Sequence, residues 1–328
     1  MRAVQLVAPG RLETVEVPVP ELGEDEVLVR SHRGSICGSD LHIVFDGFHR
    51  GEFPAAPGFP GHEGVGIVEE SRSPDIAAGD AVLVAPVPTD ARCFAEWQAV
   101  AGRSLVTLPQ GADLDRLLMA QQLGTTVYAM RRFWPEAVVG PAAGLTAAIC
   151  GAGSAGLFFA QLTRRAGFST VVIADKAPSR LRIAKDFGAD VVVDVTEGSF
   201  VEAVREATGG AGADLVIEAV GYDETRIQSL HAVRPRVRVG YFGFPEKPQG
   251  PTTWDYNEAW NKQPSIEHNH STQVEPGLTA FREAVDLIHT GAVDVAPFLD
   301  PVYPLERAQE GFEAARDQQG GKIAIDLR

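Results

Sequence analysis

The sequence predicts an α/β protein in which a β-rich N-terminal region precedes a doubly wound parallel sheet. Two patterns carry this prediction: short apolar strands separated by turn residues before Leu114, and a regular alternation of strands and helices after Val138. A glycine-rich turn between the first strand and the first helix of the alternating region is the third observation. At 328 residues the chain is long enough for two domains, each with its own core.

The N-terminal region is predicted to be built from short strands. Alternating or continuous apolar residues predict strands around 15–19 and over 26–31, 64–70 and 81–85. The Gly79-Asp80 dipeptide is a turn signal before the last of them. No helical periodicity interrupts this region before Leu114, and the pattern becomes helical only over 113–133.

From residue 146 onwards the apolar runs alternate between strand and helix periodicity, which indicates a parallel sheet covered by helices on both faces. The predicted strands are 146–150, 170–174, 190–195, 213–219 and 236–242, with a sixth at 265–268. The predicted helices between the first four are 154–166, 178–187 and 198–207. The C-terminal stretch adds helices near 278–289 and 305–316 and a closing strand over 322–326.

Composition and charge limit the classes of protein to consider. Hydrophobic residues make up 45% and charged residues 22% of the chain, as in ordinary globular proteins. The net charge of −15 opposes binding to nucleic acid or to anionic membranes. Cys37, Cys93 and Cys150 are too few and too scattered for a disulfide framework, and the N-terminus lacks the apolar core of a signal peptide. We therefore expect a cytoplasmic protein without nucleic-acid or membrane partners.

The glycine-rich turn has the pattern of a dinucleotide-binding site. Gly151, Gly153 and Gly156 form a G-x-G-x-x-G run that includes Ser154 and Ala155, between a buried strand and a helix. Glycines at these positions let the backbone N–H groups at the helix N-terminus approach a pyrophosphate without a Cβ in the way. We therefore expect all five residues to bind the cofactor.

An acidic residue, Asp175, follows the second predicted strand and completes the pattern. A carboxylate there accepts hydrogen bonds from the adenosine ribose and repels a 2′-phosphate, which favours NAD over NADP. Lys176 and Arg180, which we also expect in the cofactor site, weaken that preference. The loops after the fourth and fifth strands should border the nicotinamide half of the cofactor. The residues predicted to bind it there are Ala219, Val220, Tyr241 and Gly243.

Three local runs in the N-terminal region contain metal-ligating side chains: CGSDLH at 37–42, GHEGVG at 61–66 and GDAV at 79–82. Thiolate, imidazole and carboxylate are ligands that zinc prefers, and a catalytic site needs three of them plus one open position. In this order, and followed by the glycine-rich turn, the runs resemble those of the zinc-type medium-chain dehydrogenase/reductase family. The resemblance spans nearly the whole chain.

The resemblance implies two domains and a role for each chemistry-bearing residue. The domains are a GroES-like β-barrel catalytic domain over 1–122 and 271–328 and a Rossmann dinucleotide-binding domain over 123–270. The roles are zinc ligation by Cys37 and His62, a carboxylate beside the metal from Glu63, a proton relay through Ser39 and His42, and orientation of neighbouring groups by Asp40.

Two departures from the family concern zinc. Many members hold a second, structural zinc with four clustered cysteines, but the matching segment here has only Cys93, so we expect no structural zinc and a structural role for this cysteine. At the third catalytic ligand position the sequence has Gln121, or Gln122 if the alignment slips by one residue. A neutral amide oxygen can still coordinate zinc, and Glu63 is a second candidate ligand. The alternative is a metal-free site.

These expectations combine into an NAD-dependent enzyme with one catalytic zinc per subunit that interconverts a secondary alcohol and its ketone. The expected substrate is a small polar alcohol such as a polyol, sugar or cyclitol. The alternatives are a zinc-independent reductase of the same fold and a non-catalytic NAD-binding protein. The family resemblance also implies a homodimer or homotetramer. The aromatic segment 254–270 either lines a substrate pocket or forms a subunit contact, with His268 and His270 on one face of a strand.

Overall fold

The chain divides into two structural units. A computed structural model describes residues 1–49, 51–87, 90–247, 249–298, 300–318 and 321–328. One unit, which we call the terminal unit, consists of Met1–Gly124 and Ser271–Arg328. The other, the central unit, is the continuous segment Thr125–His270. Both chain ends therefore contribute to the same unit.

The strands and helices are numbered in chain order. The strands are β1 (Arg2–Ala8), β2 (Arg11–Glu16), β3 (Glu26–Ser35), β4 (Gly64–Ser71), β5 (Ala81–Val84), β6 (Trp97–Ala101), β7 (Leu105–Thr107), β8 (Thr146–Cys150), β9 (Thr170–Asp175), β10 (Val191–Asp194), β11 (Ala213–Glu218), β12 (Val233–Tyr241), β13 (Ser265–His268), β14 (Val302–Pro304) and β15 (Ala324–Asp326). The helices are α1 (Gly38–Phe45), α2 (Leu114–Leu117), α3 (Ala120–Phe133), α4 (Glu136–Val139), α5 (Ser154–Arg165), α6 (Pro178–Asp186), α7 (Phe200–Ala207), α8 (Asp223–Ala232), α9 (Tyr256–Lys262), α10 (Thr279–His289) and α11 (Ala308–Arg316).

The terminal unit is built around a seven-stranded sheet with the order β14-β15-β3-β4-β5-β7, in which β6 also pairs with β3. The long strand β3 buries alternate residues such as Val27 and Val29, as expected for a strand with one face on a core. Near the C-terminus, β15 pairs antiparallel with the end of β3, with Ala324 opposite Ser35. Strand β15 is therefore built into the same sheet as β3, while β1 and β2 pair with each other in a separate two-stranded sheet.

The central unit is a six-stranded sheet in the order β10-β9-β8-β11-β12-β13, and neighbouring strands are parallel. Strands β8 and β11 are buried along their whole length, which explains their near-continuous apolar sequence. The chain runs outward from β8 to β10 and then returns to form β11 on the other side of β8. Ligands of such sheets bind in the crevice that this reversal leaves at the carboxyl ends of the strands.

The predicted fold class is confirmed, and the six strands predicted for the alternating region are all present. The prediction of no helix before Leu114 is wrong, because α1 begins inside the CGSDLH run and continues to Phe45. This eight-residue helix buries only Asp40 and Val44, so it has no apolar periodicity to detect. Helix α8 was not predicted either, because it buries polar residues such as Arg226 and Ser229. Within the described ranges, no helix combines the length and apolarity that a bilayer span requires.

The packing of Phe312 tests whether the C-terminal segment completes the core of the terminal unit. Phe312 lies on α11, is fully buried, and its ring packs edge-on against that of Phe94 with centroids 5.4 Å apart. Phe312→Ala should lower the free energy of unfolding by about 3–5 kcal/mol, because it opens a cavity in the core. Chemical denaturation measures this, with Phe53→Ala at an exposed ring as the control. A loss no larger than that of the control would contradict the packing described.

Candidate active site

Three ligand-type side chains meet in the terminal unit. One ligand atom each from Cys37, His62 and Glu63 lies within 4.8 Å of the other two. The antiparallel pairing of β3 with β4 brings them together, because it sets Gly34 opposite Gly64. Cys37 lies two residues after the end of β3, and His62 and Glu63 precede β4, so the two runs meet beside the same end of this strand pair.

Cys93 fills the space that the two glycines leave. A Cβ on Gly34 would lie 2.6 Å from the Cys93 carbonyl oxygen, and a Cβ on Gly64 would lie 3.0 Å from its Sγ. Burial raises the pKa of the Cys93 thiol to about 12, so the thiol stays protonated and unreactive. These contacts give Cys93 a packing role, which is the role expected from the sequence.

His62 is held in one orientation by a buried carboxylate. Its Nδ1 lies 3.0 Å from Asp40 Oδ1 and 3.3 Å from the carbonyl oxygen of Pro60. The other Asp40 oxygen, Oδ2, accepts a hydrogen bond from the backbone N–H of Cys37 at 2.9 Å. Burial lowers the pKa of His62, but the Asp40 carboxylate and Cys37 together more than offset this, and the pKa lies well above its usual value. With Nδ1 engaged in this way, Nε2 is the nitrogen left for a metal.

Glu63 forms a buried ion pair that the sequence analysis missed. Lys322 Nζ lies 3.0 Å from Oε1 and 2.7 Å from Oε2 of Glu63, and the Ser35 hydroxyl donates to Oε2. Burial alone would raise the pKa of Glu63, but Lys322 and His62 hold it below its usual value. The only signal for Lys322 in the sequence is a single lysine at the start of the apolar run that forms β15.

Gln121 lies next to these residues in the first turn of α3. Its side chain is buried, and its Nε2 donates a hydrogen bond to the His62 carbonyl oxygen at 3.2 Å. Because the amide nitrogen is used in this way, the side-chain oxygen is the atom of Gln121 that remains for coordination. Gln122, the alternative ligand, is also buried.

Ser39 and His42, the predicted proton relay, both lie on α1. They are three residues apart and so lie near each other on the helix surface. His42 Nδ1 is 2.7 Å from Asp46 Oδ2, one helical turn further along. Both side chains are partly exposed, unlike Asp40 between them, which is fully buried. Helix α1 thus turns its acidic residue inwards and its two relay residues outwards.

The glycine turn in the central unit has the shape of a nucleotide cradle. Gly153 caps the N-terminus of α5, and a Cβ added there would meet nothing within 4 Å. A Cβ on Gly156 would instead overlap the carbonyl oxygen of Gly151, so this position accepts only glycine. The turn therefore has an open side over the first N–H groups of the helix, at Ser154 and Ala155, as anion binding requires.

Asp175 reaches from the end of β9 to the glycine turn. Its Oδ2 accepts a hydrogen bond from the Ala152 N–H at 2.7 Å, and its Oδ1 accepts one from the Ala177 N–H at 2.8 Å. Arg180 Nη1 lies 3.9 Å from Oδ2, and Lys176 is exposed. The acidic and basic residues predicted for the ribose end of the cofactor are thus all at one end of the sheet.

The other residues predicted to bind the cofactor lie in different surroundings. Ala219 and Val220 are partly exposed in the loop after β11. Tyr241 lies in the core, where its hydroxyl is 3.4 Å from the Arg226 carbonyl oxygen and burial raises its pKa to about 12. A Cβ on Gly243 would overlap the backbone of the neighbouring loop, so this glycine is required by packing.

The segment after β12 corrects one sequence-based inference. Strand β13 ends at His268, so His270 lies outside it and the two imidazoles do not alternate along a strand. The His268 ring instead packs edge-on against the Tyr241 ring with centroids 5.4 Å apart. The rings of Trp254, Tyr256 and Trp260 are exposed on the central unit.

Removing one partner of the buried ion pair should be far more costly than removing both. Lys322→Met leaves Glu63 as an uncompensated buried charge and should lower the free energy of unfolding by about 3–5 kcal/mol. Adding Glu63→Gln to that variant should restore much of the loss, because no net charge then remains buried. Denaturation of the single and double variants measures this, and Arg205→Met, which breaks an exposed pair with Glu202, is the control. Equal losses in the single and double variants would exclude the pairing.

Comparison with known proteins identifies the family. A model described as alcohol dehydrogenase GroES-like domain matches residues 23–117, and one described as zinc-binding dehydrogenase matches residues 155–290. L-Threonine 3-dehydrogenase of Bacillus subtilis (strain 168) is 30% identical over 339 residues, which cover 94% of this chain and 93% of the relative. Sorbitol dehydrogenase of Pongo abelii is 26% identical over an alignment that covers 97% of this chain and 93% of that protein. The structure of alcohol dehydrogenase TADH from Thermus sp. ATN1 matches with a TM-score of 0.85 at 26% identity, over 100% of both chains. The chain therefore belongs to the zinc-type medium-chain dehydrogenase family and is an alcohol-type oxidoreductase.

Proposed function

We propose that the chain is an NAD-dependent dehydrogenase that interconverts a secondary alcohol and its ketone with one catalytic zinc per subunit. The observation that carries this proposal is the cluster of Cys37, His62 and Glu63, whose ligand atoms lie within 4.8 Å of one another. A thiolate together with an imidazole is a donor set that suits zinc. The open glycine turn and Asp175 support the dinucleotide as the partner that accepts the hydride.

The residues present fit a zinc ion in the terminal unit. Cys37 Sγ and His62 Nε2 would hold it, and we propose the side-chain oxygen of Gln121 as the third protein ligand. Glu63 is the weaker candidate, because Lys322 contacts both of its oxygens. Zinc at this position would polarise the substrate hydroxyl and lower its pKa. We propose no structural zinc, since the chain lacks the four clustered cysteines that such a site uses in the family.

The protein residues supply a route for the substrate proton. We propose that the Ser39 hydroxyl receives the proton and that His42 passes it on, because an imidazole can accept a proton on one nitrogen while it releases one from the other. Asp46, at 2.7 Å from Nδ1, would keep the His42 ring in one orientation. Asp40 stays behind the site and holds His62 and the backbone N–H of Cys37.

For the cofactor we propose NAD, with NADP as the poorer alternative. The Asp175 carboxylate would lie where the 2′-phosphate of NADP binds and would repel it. The guanidinium of Arg180, 3.9 Å from that carboxylate, and the nearby Lys176 reduce the repulsion. NADP should therefore support turnover at a lower rate than NAD.

We propose a neutral, hydroxyl-rich substrate such as a polyol, sugar or cyclitol. Acidic residues strongly outnumber basic ones in the terminal unit, which disfavours an anionic substrate. The relatives named L-threonine 3-dehydrogenase and sorbitol dehydrogenase make threonine and sorbitol the first compounds to test.

We also propose a homodimer or homotetramer. The exposed rings of Trp254, Tyr256 and Trp260 are candidates either for the contact between subunits or for substrate binding.

Metal removal tests the catalytic proposal. Purified protein with NAD and a panel of alcohols that includes sorbitol and L-threonine should form NADH, followed by its absorbance. A chelator should abolish NADH formation, because the substrate hydroxyl is no longer polarised once zinc is removed. Added zinc should restore the rate. Cys37→Ala should lose both bound zinc and activity, the latter by roughly a hundredfold or more, while Cys93→Ala should keep both.

The other function classes predict different outcomes of the same assay. Turnover that the chelator does not affect would indicate a zinc-independent reductase. Tight binding of NADH without turnover of any alcohol would indicate a non-catalytic protein. A fully active Cys37→Ala variant would exclude the zinc mechanism.

Introducing a charged side chain at position 121 tests whether Gln121 is the third zinc ligand. Gln121→Glu replaces a neutral amide by a carboxylate beside Cys37 and His62, so zinc should bind more tightly by roughly tenfold or more. Competition with a chelator measures the affinity, and Gln122→Glu is the matched control at the neighbouring buried position. If Gln121→Glu leaves zinc affinity unchanged while Glu63→Gln lowers it, Glu63 is the ligand and the assignment of Gln121 is wrong.

A further inference from the structure

Glu218 is a fully buried carboxylate at the end of β11, and it is not one of the predicted site residues. Its Oε1 accepts hydrogen bonds from the backbone N–H groups of Val220 at 2.8 Å and Gly221 at 2.7 Å. The Thr225 hydroxyl, on the first turn of α8, lies 2.8 Å from the same oxygen. Its Oε2 is buried and has no hydrogen-bond partner in the described part of the chain. The carboxyl group therefore accepts hydrogen bonds from the loop at residues 219–221 through one oxygen only, Oε1.

The loop that Glu218 holds is one wall of the crevice at the sheet reversal. Strands β8 and β11 are neighbours with Cys150 opposite Glu218, so the loops that follow them lie side by side. A Cβ on Gly151 would lie 2.8 Å from Val220 Cγ2 and 3.4 Å from the Ala219 carbonyl oxygen. The first glycine of the nucleotide turn thus packs directly on the loop.

The other side of the loop is equally confined. A Cβ on Gly221, whose φ is +102°, would overlap the carbonyl oxygen of Phe244. The backbone N–H groups of Phe242 and Gly243 donate to the Glu218 carbonyl oxygen at 2.9 and 3.0 Å. The side chain and the backbone of Glu218 therefore hold two successive strand-end loops at once. A shift of either loop would move the wall against which the glycine turn packs.

We propose that Glu218 is a positioning residue for the dinucleotide: through Oε1 it holds residues 219–221 as the wall of the cofactor crevice opposite the glycine turn. The proposal rests on the proposed function, in that the crevice holds NAD. Burial raises the pKa of Glu218 although the N–H groups of Gly221 and Val220 lower it. The two N–H groups need only an acceptor oxygen in the place of Oε1, so glutamine at this position should hold the loop in the same way.

The chain offers a matched control at the other end of the same strand. Asp214 lies near the start of β11 and is buried, and its Oδ2 accepts a hydrogen bond from the backbone N–H of Thr146 at 2.9 Å. This carboxylate therefore also holds a backbone N–H group of the sheet. It lies at the amino end of β11, away from the loops at the carboxyl ends of the strands, so its loss should not reach the crevice.

The experiment compares NADH affinity among full-length variants by fluorescence titration, with zinc content and thermal unfolding recorded for each. Glu218→Ala should raise the Kd for NADH, and the KM for NAD, by roughly tenfold or more, because two backbone N–H groups of the loop lose their acceptor. Glu218→Gln should stay within roughly threefold of the unaltered protein, since it keeps the acceptor oxygen. Asp214→Ala should bind NADH normally, and zinc content should be the same in all variants.

Two results would overturn the proposal: a folded Glu218→Ala variant that binds NADH normally, or a Glu218→Gln variant that loses as much affinity as the alanine variant. If Glu218→Ala does not fold, Glu218→Met fills the same space without an acceptor oxygen, and an unchanged Kd for NADH in that variant would equally contradict the role. Failure of the proposed function is read separately, from the unaltered protein, as the absence of binding to either NADH or NADPH.

Discussion

A buried ion pair between Glu63 and Lys322 connects the candidate metal site to the C-terminal segment. Removing two charges from water costs several kcal/mol for each, so such a pair adds little net stability and mainly restricts where its partners can lie. The two residues are 259 positions apart, and the pair forms only when the segment 271–328 returns to the terminal unit. The carboxylate beside Cys37 and His62 is therefore neutralised only in the completely folded unit.

This pair also determines how much charge a metal would meet. With Glu63 neutralised by Lys322, a metal held in this cluster would meet one thiolate, from Cys37, with the Asp40 carboxylate behind His62. If Gln121 completes the ligand set, one thiolate faces a divalent ion, and the formal charge at the metal stays near +1. Such an ion would be held less tightly than one with two anionic ligands, and would attract the oxygen of a substrate more strongly.

The features that could be predicted from the sequence have local signals. The strands β8 and β11 are continuous apolar runs because both of their faces are buried, and Cys37 and His62 stand in runs that match a family. Lys322 and Glu218 have no such signal, since their roles come from partners that only the folded chain brings close. The error at His270 has the opposite cause: alternation in the sequence continued beyond the point where the strand ends.

The two acids beside the glycine turn show why only one of them has a recognisable pattern. Asp175 holds Ala152 with one of the two lone pairs on Oδ2, so the same oxygen can also accept a ribose hydroxyl. Glu218 Oε1 already accepts two N–H groups and contacts a hydroxyl, and the group is fully buried, so it can act only on the loop. Contact with the proposed cofactor would fix the distance of Asp175 from the glycines along the chain. A loop can be held by any hydrogen-bond acceptor that lies next to its N–H groups, and residues at other positions can provide one. The role of Glu218 therefore requires no fixed spacing in the sequence.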